Sequence, residues 1–366
     1  MKKKVIYVSV SNDISNDNRV LKTSYSLEKF GYKVVIVGKK TKNSPKFTEK
    51  IKAKRLKVLF KKNVFYYAEL NIKLFFYLLF HKQDVLWAND LDTLLPNFLV
   101  SKLKNKQLIF DSHEMFPYVA ELKIGSFQQR FWLNLERFLV PKVRNIVTVC
   151  GSLGEYFEQN YGKKAVIVRN IPPFDIKNQR PKQFPLDEKY IIWQGSVNIN
   201  RGLEELVEAM KDVNCKLFIV GYGKIYSKLQ AIIIDKRLEK KVFLVNRLPF
   251  SQMMELTRRA TLGICIDKPV NQNYKISLPN KIFEYINAAT PVLYSPLREI
   301  SHIENEFNTG ISLQNWQIDT ISSQINSIIN DNDLLKRLSD NCIEAQKHLS
   351  WQNEEQKLSI LMTNLR

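Results

Sequence analysis

The sequence predicts an α/β protein with two doubly wound, Rossmann-like domains in tandem. Three observations carry that prediction. Short apolar runs alternate with helix-length segments from end to end, the pattern of a parallel sheet covered by helices. The alternation breaks at Asn170-Ile171-Pro172-Pro173 and stays polar and proline-rich to Pro185, as an interdomain hinge does. It then resumes, and 366 residues are natural for two domains of roughly 170–190 residues.

In the first half, Lys4–Val10, Lys33–Gly38, Asp84–Ala88, Gln107–Phe110, Asn145–Val149 and Ala165–Val168 read as buried strands. Asn18–Phe30, Leu91–Lys104 and Phe127–Val140 read as the helices between them. In the second half the strands are Tyr190–Gln194, Lys216–Val220, Lys241–Val245, Leu262–Ile266 and Val292–Tyr294. The tail after Ile318 is helical throughout, and its last segment, Trp351–Leu365, is expected to cross back. The expected domains are therefore 1–172, with a terminal helix at about 350–366 packing on it, and 186–349, with a cleft between them. Sheets of this kind bind ligands at the carboxyl ends of their strands. Those ends carry Asp111-Ser112-His113-Glu114, Gly195-Ser196, Gly221-Tyr222-Gly223 and a helix start near residue 280.

With 45% hydrophobic residues and only 12 Gly and 13 Pro, the chain can bury sizeable cores and is not disordered. Cys150, Cys215, Cys265 and Cys342 have no metal-ligand or redox spacing, which fits reduced thiols in a cytoplasmic protein. The basic Met1-Lys2-Lys3-Lys4 flank precedes an apolar run too short for a signal peptide. Leu74–Phe80, the longest wholly apolar run, falls far short of the roughly 20 residues of a spanning helix.

The net charge of +20 is uneven: residues 1–172 hold 31 Lys/Arg against 14 Asp/Glu, and the remainder 25 against 22. Between Lys39 and Lys82, thirteen Lys/Arg meet only Glu49 and Glu69. Phe47, Phe60, Phe65, Tyr66, Tyr67, Phe75, Phe76, Tyr77 and Phe80 are interleaved with them. This mixture reads as a surface for anionic lipid headgroups. Four such cations at about 1 kcal/mol each raise partitioning on the order of a thousandfold. Nucleic-acid binding is the rival reading, and a helix with a solvated basic face is the plain one.

The most informative stretch runs from Ser277 through Pro279-Asn280-Lys281-Ile282-Phe283-Glu284-Tyr285 to Leu293. It reads as a helix start followed by a short buried strand. Pro279 suits a first turn, and Ser277 or Asn280 suits its cap. Lys281 and Glu284 then share one face near the N-terminus. N–H groups and a cation suit a pyrophosphate, and a carboxylate accepts from ribose hydroxyls. The plain alternative is a local ion pair on an ordinary capped helix.

Taken in order, these motifs resemble the retaining glycosyltransferases of family 4, which have the two-domain GT-B fold. The resemblance spans nearly the whole chain: Asp17-Asn18-Arg19-Val20 through Gly31-Tyr32-Lys33-Val34, Ala88-Asn89-Asp90-Leu91-Asp92, Phe110 to Glu114, Gln194-Gly195-Ser196, Arg201-Gly202-Leu203, Val220 to Gly223, and Lys281 to Val292. It implies that Glu284 binds the nucleotide ribose. Arg201 would hold the donor diphosphate, assisted by Lys281 or the helix N-terminus, and His113 would reach the sugar–phosphate region. Gly195, Ser196, Gly221, Gly223 and Asn280 complete the expected donor site, and Asp90, Asp111 and Glu114 the acceptor side. Two departures stand out. The family's first motif glutamate falls on Ile276, so Asn273, Ser277 or backbone groups must contact the donor sugar. Ser196 stands where many members have a phosphate-binding arginine.

Asp90-Leu91-Asp92 imitates the metal-binding pair of another glycosyltransferase fold, but it precedes a helix and reads as a cap with acceptor contact. No cluster has metal spacing, so a metal-independent reaction without a cofactor is expected. The donor would be a UDP- or GDP-linked sugar. The acceptor would be a saccharide, lipid-linked as in cell-surface polysaccharide assembly, at the inner face of the membrane. Nucleic acid is not an expected partner. A nucleotide-sugar epimerase of the same architecture, a degenerate copy and a non-catalytic basic binding protein are the alternatives.

Overall fold

The computed structural model describes residues 3–40, 44, 46–60, 63–119, 122–172 and 188–365. Most of the expected 170–185 hinge lies outside the described residues, as do residues 41–43, 45, 61 and 62 of the basic region. The chain divides into two compact units, Met1–Asn170 with Glu354–Arg366, and Ile171–Asn353.

The first unit runs β1 (Val5–Ser9), α1 (Asn18–Lys29), β2 (Lys33–Lys40), β3 (Lys52–Lys57), α2 (Asn63–Leu79), β4 (Val85–Asn89), α3 (Leu91–Leu103), β5 (Gln107–Ser112), α4 (Phe127–Leu139), β6 (Asn145–Thr148), α5 (Gly151–Tyr161) and β7 (Ala165–Ile167). Its seven strands are parallel in the order β3-β2-β1-β4-β5-β6-β7. The direction of winding reverses between β1 and β4, so a crevice for ligands belongs at the carboxyl ends of those strands. The central strands are apolar on both faces, with Ile6, Val8, Leu86 and Trp87 fully buried.

Two elements had no clear signal in the alternation of apolar runs. β3 has the sequence KAKRLK and buries only Leu56. It is an edge strand whose lysines discourage further pairing. In α2, Tyr66, Leu70, Leu74 and Leu78 recur every fourth residue and turn inward, while Phe65, Ile72 and Phe76 stay exposed. Among the described residues no helix is long and apolar enough to cross a membrane.

The second unit continues with β8 (Tyr190–Gln194), α6 (Leu203–Ala209), β9 (Lys216–Val220), α7 (Tyr226–Asp235), β10 (Val242–Val245), α8 (Phe250–Arg259), β11 (Leu262–Cys265), α9 (Gln272–Lys275), α10 (Asn280–Asn287), β12 (Val292–Tyr294), α11 (Arg298–Phe307), β13 (Gly310–Ser312), α12 (Ile318–Asn330) and α13 (Asn332–His348). Its parallel sheet has the order β10-β9-β8-β11-β12-β13, with the reversal between β8 and β11. The closing helix, α14 (Trp351–Thr363), joins the first unit from Glu354 onward. There Glu354 accepts from the Arg169 amide at 2.8 Å, and Glu355 pairs with Lys29 at 2.6 Å.

Candidate functional site

In the second unit the expected donor residues collect at the carboxyl ends of β8, β9 and β11. α10 is fixed to the sheet by Tyr285, whose ring is fully buried and whose hydroxyl lies 3.2 Å from Ile192 O and 3.0 Å from Ile264 O. Room for the ring comes from Gly263, where a Cβ would lie 2.7 Å from it. The capping expected of Ser277 or Asn280 is not found. The Ser277 hydroxyl donates back to Tyr274 O at 2.9 Å, Asn280 is already helical, and Pro279 at the cap position offers no side-chain bond. A proline in extended conformation (φ −63°, ψ 132°) starts this helix by geometry alone, leaving its first-turn N–H groups without a side-chain cap.

Lys281 and Glu284 leave the helix in different company. Lys281 is buried; its Nζ lies 3.1 Å from Asp267 Oδ1 and 4.3 Å from the centroid of the Trp193 ring. Glu284 accepts from Gln194 Nε2 at 2.5 Å. Thr257 orients that amide by donating to Gln194 Oε1 at 2.6 Å. Arg201 NH1 pairs with the other oxygen of Asp267, and its guanidinium lies 5.1 Å from the Tyr274 ring. Asp267 thus carries two cations while itself wholly inaccessible. A diphosphate brings the negative charge that this cation-rich cluster lacks. Neighbouring Cys265 is no nucleophile, since burial pushes its thiol up to about 12.

The glycines serve close packing. Gly202 has φ +68°, and a Cβ there would lie 2.6 Å from Ile266 O. Gly221 has φ +148°, and its Cβ would lie 1.9 Å from Gly195 O. Only glycine suits both the backbone conformation and the approach. Gly195 and Ser196 are exposed beside them, with Asn198 Nδ2 donating to Ser196 Oγ at 3.1 Å. Gly223 packs on the 195–197 loop, where its Cβ would lie 2.3 Å from Val197 O.

In the first unit Asp90, Asp111 and His113 form a second cluster at the ends of β4 and β5. His113 Nδ1 is 3.0 Å from Asp90 Oδ2, and Nε2 is 3.4 Å from Asp111 Oδ1. Burial works against a charged ring, but the two carboxylates outweigh it and raise His113 to about 10. Asp111 also receives Arg19 at 2.7 Å and Trp87 Nε1 at 3.3 Å. Burial opposes its charge too, yet Arg19 and His113 hold its carboxyl well below the usual carboxylate range. Asp90 stands at the cap position of α3 without making a side-chain cap bond. The expected cap is therefore replaced by the contact with His113. Glu114 follows in the chain, and it and Asp90 bear electrostatically on Asp92. Burial, then repulsion from Asp90, pushes buried Asp92 up to about 7.

Of the three expected catalytic residues, Arg201 and Lys281 meet through Asp267, while His113 belongs to the other unit. Sequence reasoning missed Asp267, Gln194, Thr257 and the part played by Arg19. For Asp267 the signal was an acid directly after the apolar run Leu262–Ile266; for Arg19, a charge on a helix that packs on the sheet.

Residues 175–345 match the family described as Glycosyl transferases group 1. The chain is 19% identical over 250 residues to the uncharacterized glycosyltransferase MJ1178 of Methanocaldococcus jannaschii, covering 68% of this chain and 67% of that one. Sucrose-phosphate synthase from Thermosynechococcus elongatus superposes over 99% of both chains with a TM-score of 0.81 at 14% identity. Anabaena Alr3699/HepE in complex with UDP and glucose superposes over 100% of both with a TM-score of 0.79 at 13% identity. The fold is GT-B. The domain match and these relatives support a GT-B glycosyltransferase.

Proposed function

We propose that the chain is a retaining, metal-independent glycosyltransferase of family 4, moving a sugar from a nucleoside diphosphate sugar to a saccharide. The observation that carries this reading is the convergence of Arg201 and Lys281 on buried Asp267, with Glu284 held nearby in sequence and space by Gln194. Cleaving a nucleotide sugar leaves a diphosphate anion, and cations fixed in advance stabilise that charge as it develops. Glu284 is the acceptor for ribose hydroxyls. Ser196, Gly195, Asn280 and the 221–223 turn line the donor. UDP is the first nucleotide to try, because a neighbour of the same fold was solved with UDP and glucose. The two carboxylates of the proposed site are engaged, Asp267 with Arg201 and Lys281 and Glu284 with Gln194, so the reaction is read as a same-face attack in which the leaving phosphate guides the acceptor hydroxyl.

Calorimetric titration of UDP, GDP and ADP, repeated with Glu284→Ala and with chelator, tests this reading. Selective binding of one nucleotide, unaffected by chelator and weakened in the variant, is the expected result; no binding by any of them would overturn it. Conversion of donor without acceptor would instead identify an epimerase.

The acceptor is proposed to be lipid-linked and met at an anionic membrane surface. Leu59, Phe60, Phe65, Ile72, Phe76 and Phe80 are exposed on and around α2, in the region richest in lysine. Replacing Phe65, Phe76 and Phe80 by serine should reduce binding to vesicles containing phosphatidylserine about tenfold or more, at roughly 1.5–3 kcal/mol per fully buried apolar side chain. Equal binding by both proteins would remove the membrane assignment.

A further inference from the structure

The carboxyl-terminal halves of α4 and α5 border a pocket of about 370 Å³, lined by Tyr118, Leu133, Arg137, Tyr156, Asn160 and Tyr161 among others. That volume lies within the range of about 300–1,000 Å³ found for small-molecule sites. Helices that cross between parallel strands run back from the carboxyl ends of those strands. Arg137 lies ten residues beyond Phe127, the first residue of α4, which is about 15 Å along the axis at 1.5 Å per residue. The pocket is therefore separate from the His113 cluster at the strand ends, and the proposed transfer step makes no use of it.

Behind its tyrosines lies a charge that packing alone does not call for. Glu136 is 2% exposed, and its Oε1 accepts from the hydroxyls of Tyr156 and, at 2.6 Å, Tyr161. A leucine would fill the position without the cost of desolvating a carboxylate. What the carboxylate supplies is aim, for it fixes two rings that cross at 86° with centroids 6.0 Å apart. Burial first, and Glu136 second, hold both tyrosines above their ordinary range, so each stays a protonated donor to the carboxylate. Their protons are committed, and their oxygens are left as acceptors. Asn160 donates through Nδ2 to Tyr156 O at 2.8 Å, which leaves its own carbonyl to accept.

One cation belongs to the pocket. Arg137 is exposed at its edge and makes no ion pair among the described residues. An unpaired guanidinium takes an oxyanion through two parallel bonds. One cation matches a singly charged carboxylate, whereas a phosphate dianion would bring a second charge toward Glu136. Aromatic walls with a few acceptor oxygens suit the body and hydroxyls of a sugar.

We propose that this pocket binds a carboxylate-bearing sugar unit, with Arg137 on the carboxylate, the tyrosine rings against the sugar, and Glu136 as the positioning residue behind them. On the transferase reading, such a unit belongs to the growing saccharide, held remote from the transfer step, so the polymer being extended is acidic. Binding itself does not rest on that reading. The excess of 31 Lys/Arg over 14 Asp/Glu in residues 1–172 favours an acidic chain in the same sense.

Calorimetric titration of the full-length protein with trigalacturonate and trimannuronate tests this, with maltotriose as the uncharged counterpart. One of the two uronates should bind at least about tenfold more tightly than maltotriose, the worth of one hydrogen bond to a charged group. Arg137→Gln, a change at an exposed position, should bring that uronate down to the level of maltotriose. Glu136→Leu should weaken uronate binding while the melting temperature holds or rises. Glu136→Gln, whose amide oxygen still accepts from the tyrosines, should restore it. A plain structural tie between α4 and α5 predicts the reverse, a lower melting temperature with binding unmoved. Should Glu136→Leu not fold, Arg137→Gln decides the matter by itself. Neither uronate binding, equal affinity for uronate and maltotriose, or full affinity in Arg137→Gln would overturn the proposal. Inorganic phosphate that displaces the uronate at equal concentration would mark a bare anion site and overturn the sugar assignment. Uronate binding by a protein inert toward every nucleotide sugar would remove the transferase reading and leave the pocket assigned, whereas turnover without uronate binding would do the opposite.

Discussion

The two units handle buried charge in opposite ways. In the second, one inaccessible carboxylate, Asp267, serves two cations, Arg201 and Lys281. In the first, one ring, His113, lies between two carboxylates, Asp90 and Asp111, with Arg19 behind the latter. The Asp267 cluster sets two cations against one carboxylate. The His113 cluster has acids of its own, which hold the ring toward its charged form. On this comparison one cluster suits an anion and the other a neutral hydroxyl-bearing partner, which is the division of labour between donor and acceptor that the proposed reaction needs.

The sharpest way to break the comparison is Asp267→Asn. Removing one partner of a buried ion pair leaves an uncompensated charge and costs about 3–5 kcal/mol, so chemical denaturation should show that loss. A nucleoside diphosphate replaces the missing negative charge, and should therefore raise the melting temperature of the variant more than that of the wild type. Equal shifts in the two proteins would mean that the cations do not face the phosphates. Next in size, Arg201→Ala or Lys281→Ala should each lower turnover by about 10²–10³, the effect of removing one preset charge-stabilising group, as measured by nucleotide release. Glu284→Ala should weaken nucleotide binding by about 1.5–3 kcal/mol, the worth of a hydrogen bond to a charged group. Titration calorimetry reads this as roughly a tenfold to hundredfold rise in Kd.

How much of this was legible in the sequence follows from which interactions are local. Strand–helix alternation announces the two sheets because central parallel strands are apolar on both faces. β3 escaped that reading because KAKRLK buries one large side chain, and α2 was obscured by aromatics on its exposed as well as its buried side. Glu284, Lys281, Arg201 and His113 were visible because each is polar at a strand end or helix start. Asp267 and Gln194 were not, because an acid or amide after an apolar run gains its meaning from partners 14–90 residues away. The α10 cap was misread for a related reason. Ser277 and Asn280 are capping types, but the backbone turn at Pro279 puts one before the cap position and the other inside the helix.

The smallest expected effect tests whether the excess of acids around His113 has a measurable cost. Buried Asp92 lies near Asp90 and Glu114 and is pushed up to about 7. An acid whose folded pKa is raised above its unfolded value destabilises the fold as pH climbs from the unfolded pKa, near 4, through the folded one. His113 acts in the same direction at higher pH. Its folded pKa of about 10 stands above an ordinary 6.5, so its stabilisation is complete below about 6.5 and is lost as pH rises toward 10. Both shifts therefore favour this unit on the acid side. Asp92→Asn removes the first contribution alone. At pH 3, below the unfolded pKa, where the acid is neutral in both states, the variant should melt with the wild type. At pH 8 it should melt roughly 2–4 °C higher, for a gain of about 1 kcal/mol in a unit of this size. The gain should appear in the first unit's transition, because Asp267 and its cations are untouched by the change. An equal gain at both pH values would show that Asp92 is a packing defect rather than a titrating acid, and would remove it from the electrostatic account of the His113 cluster.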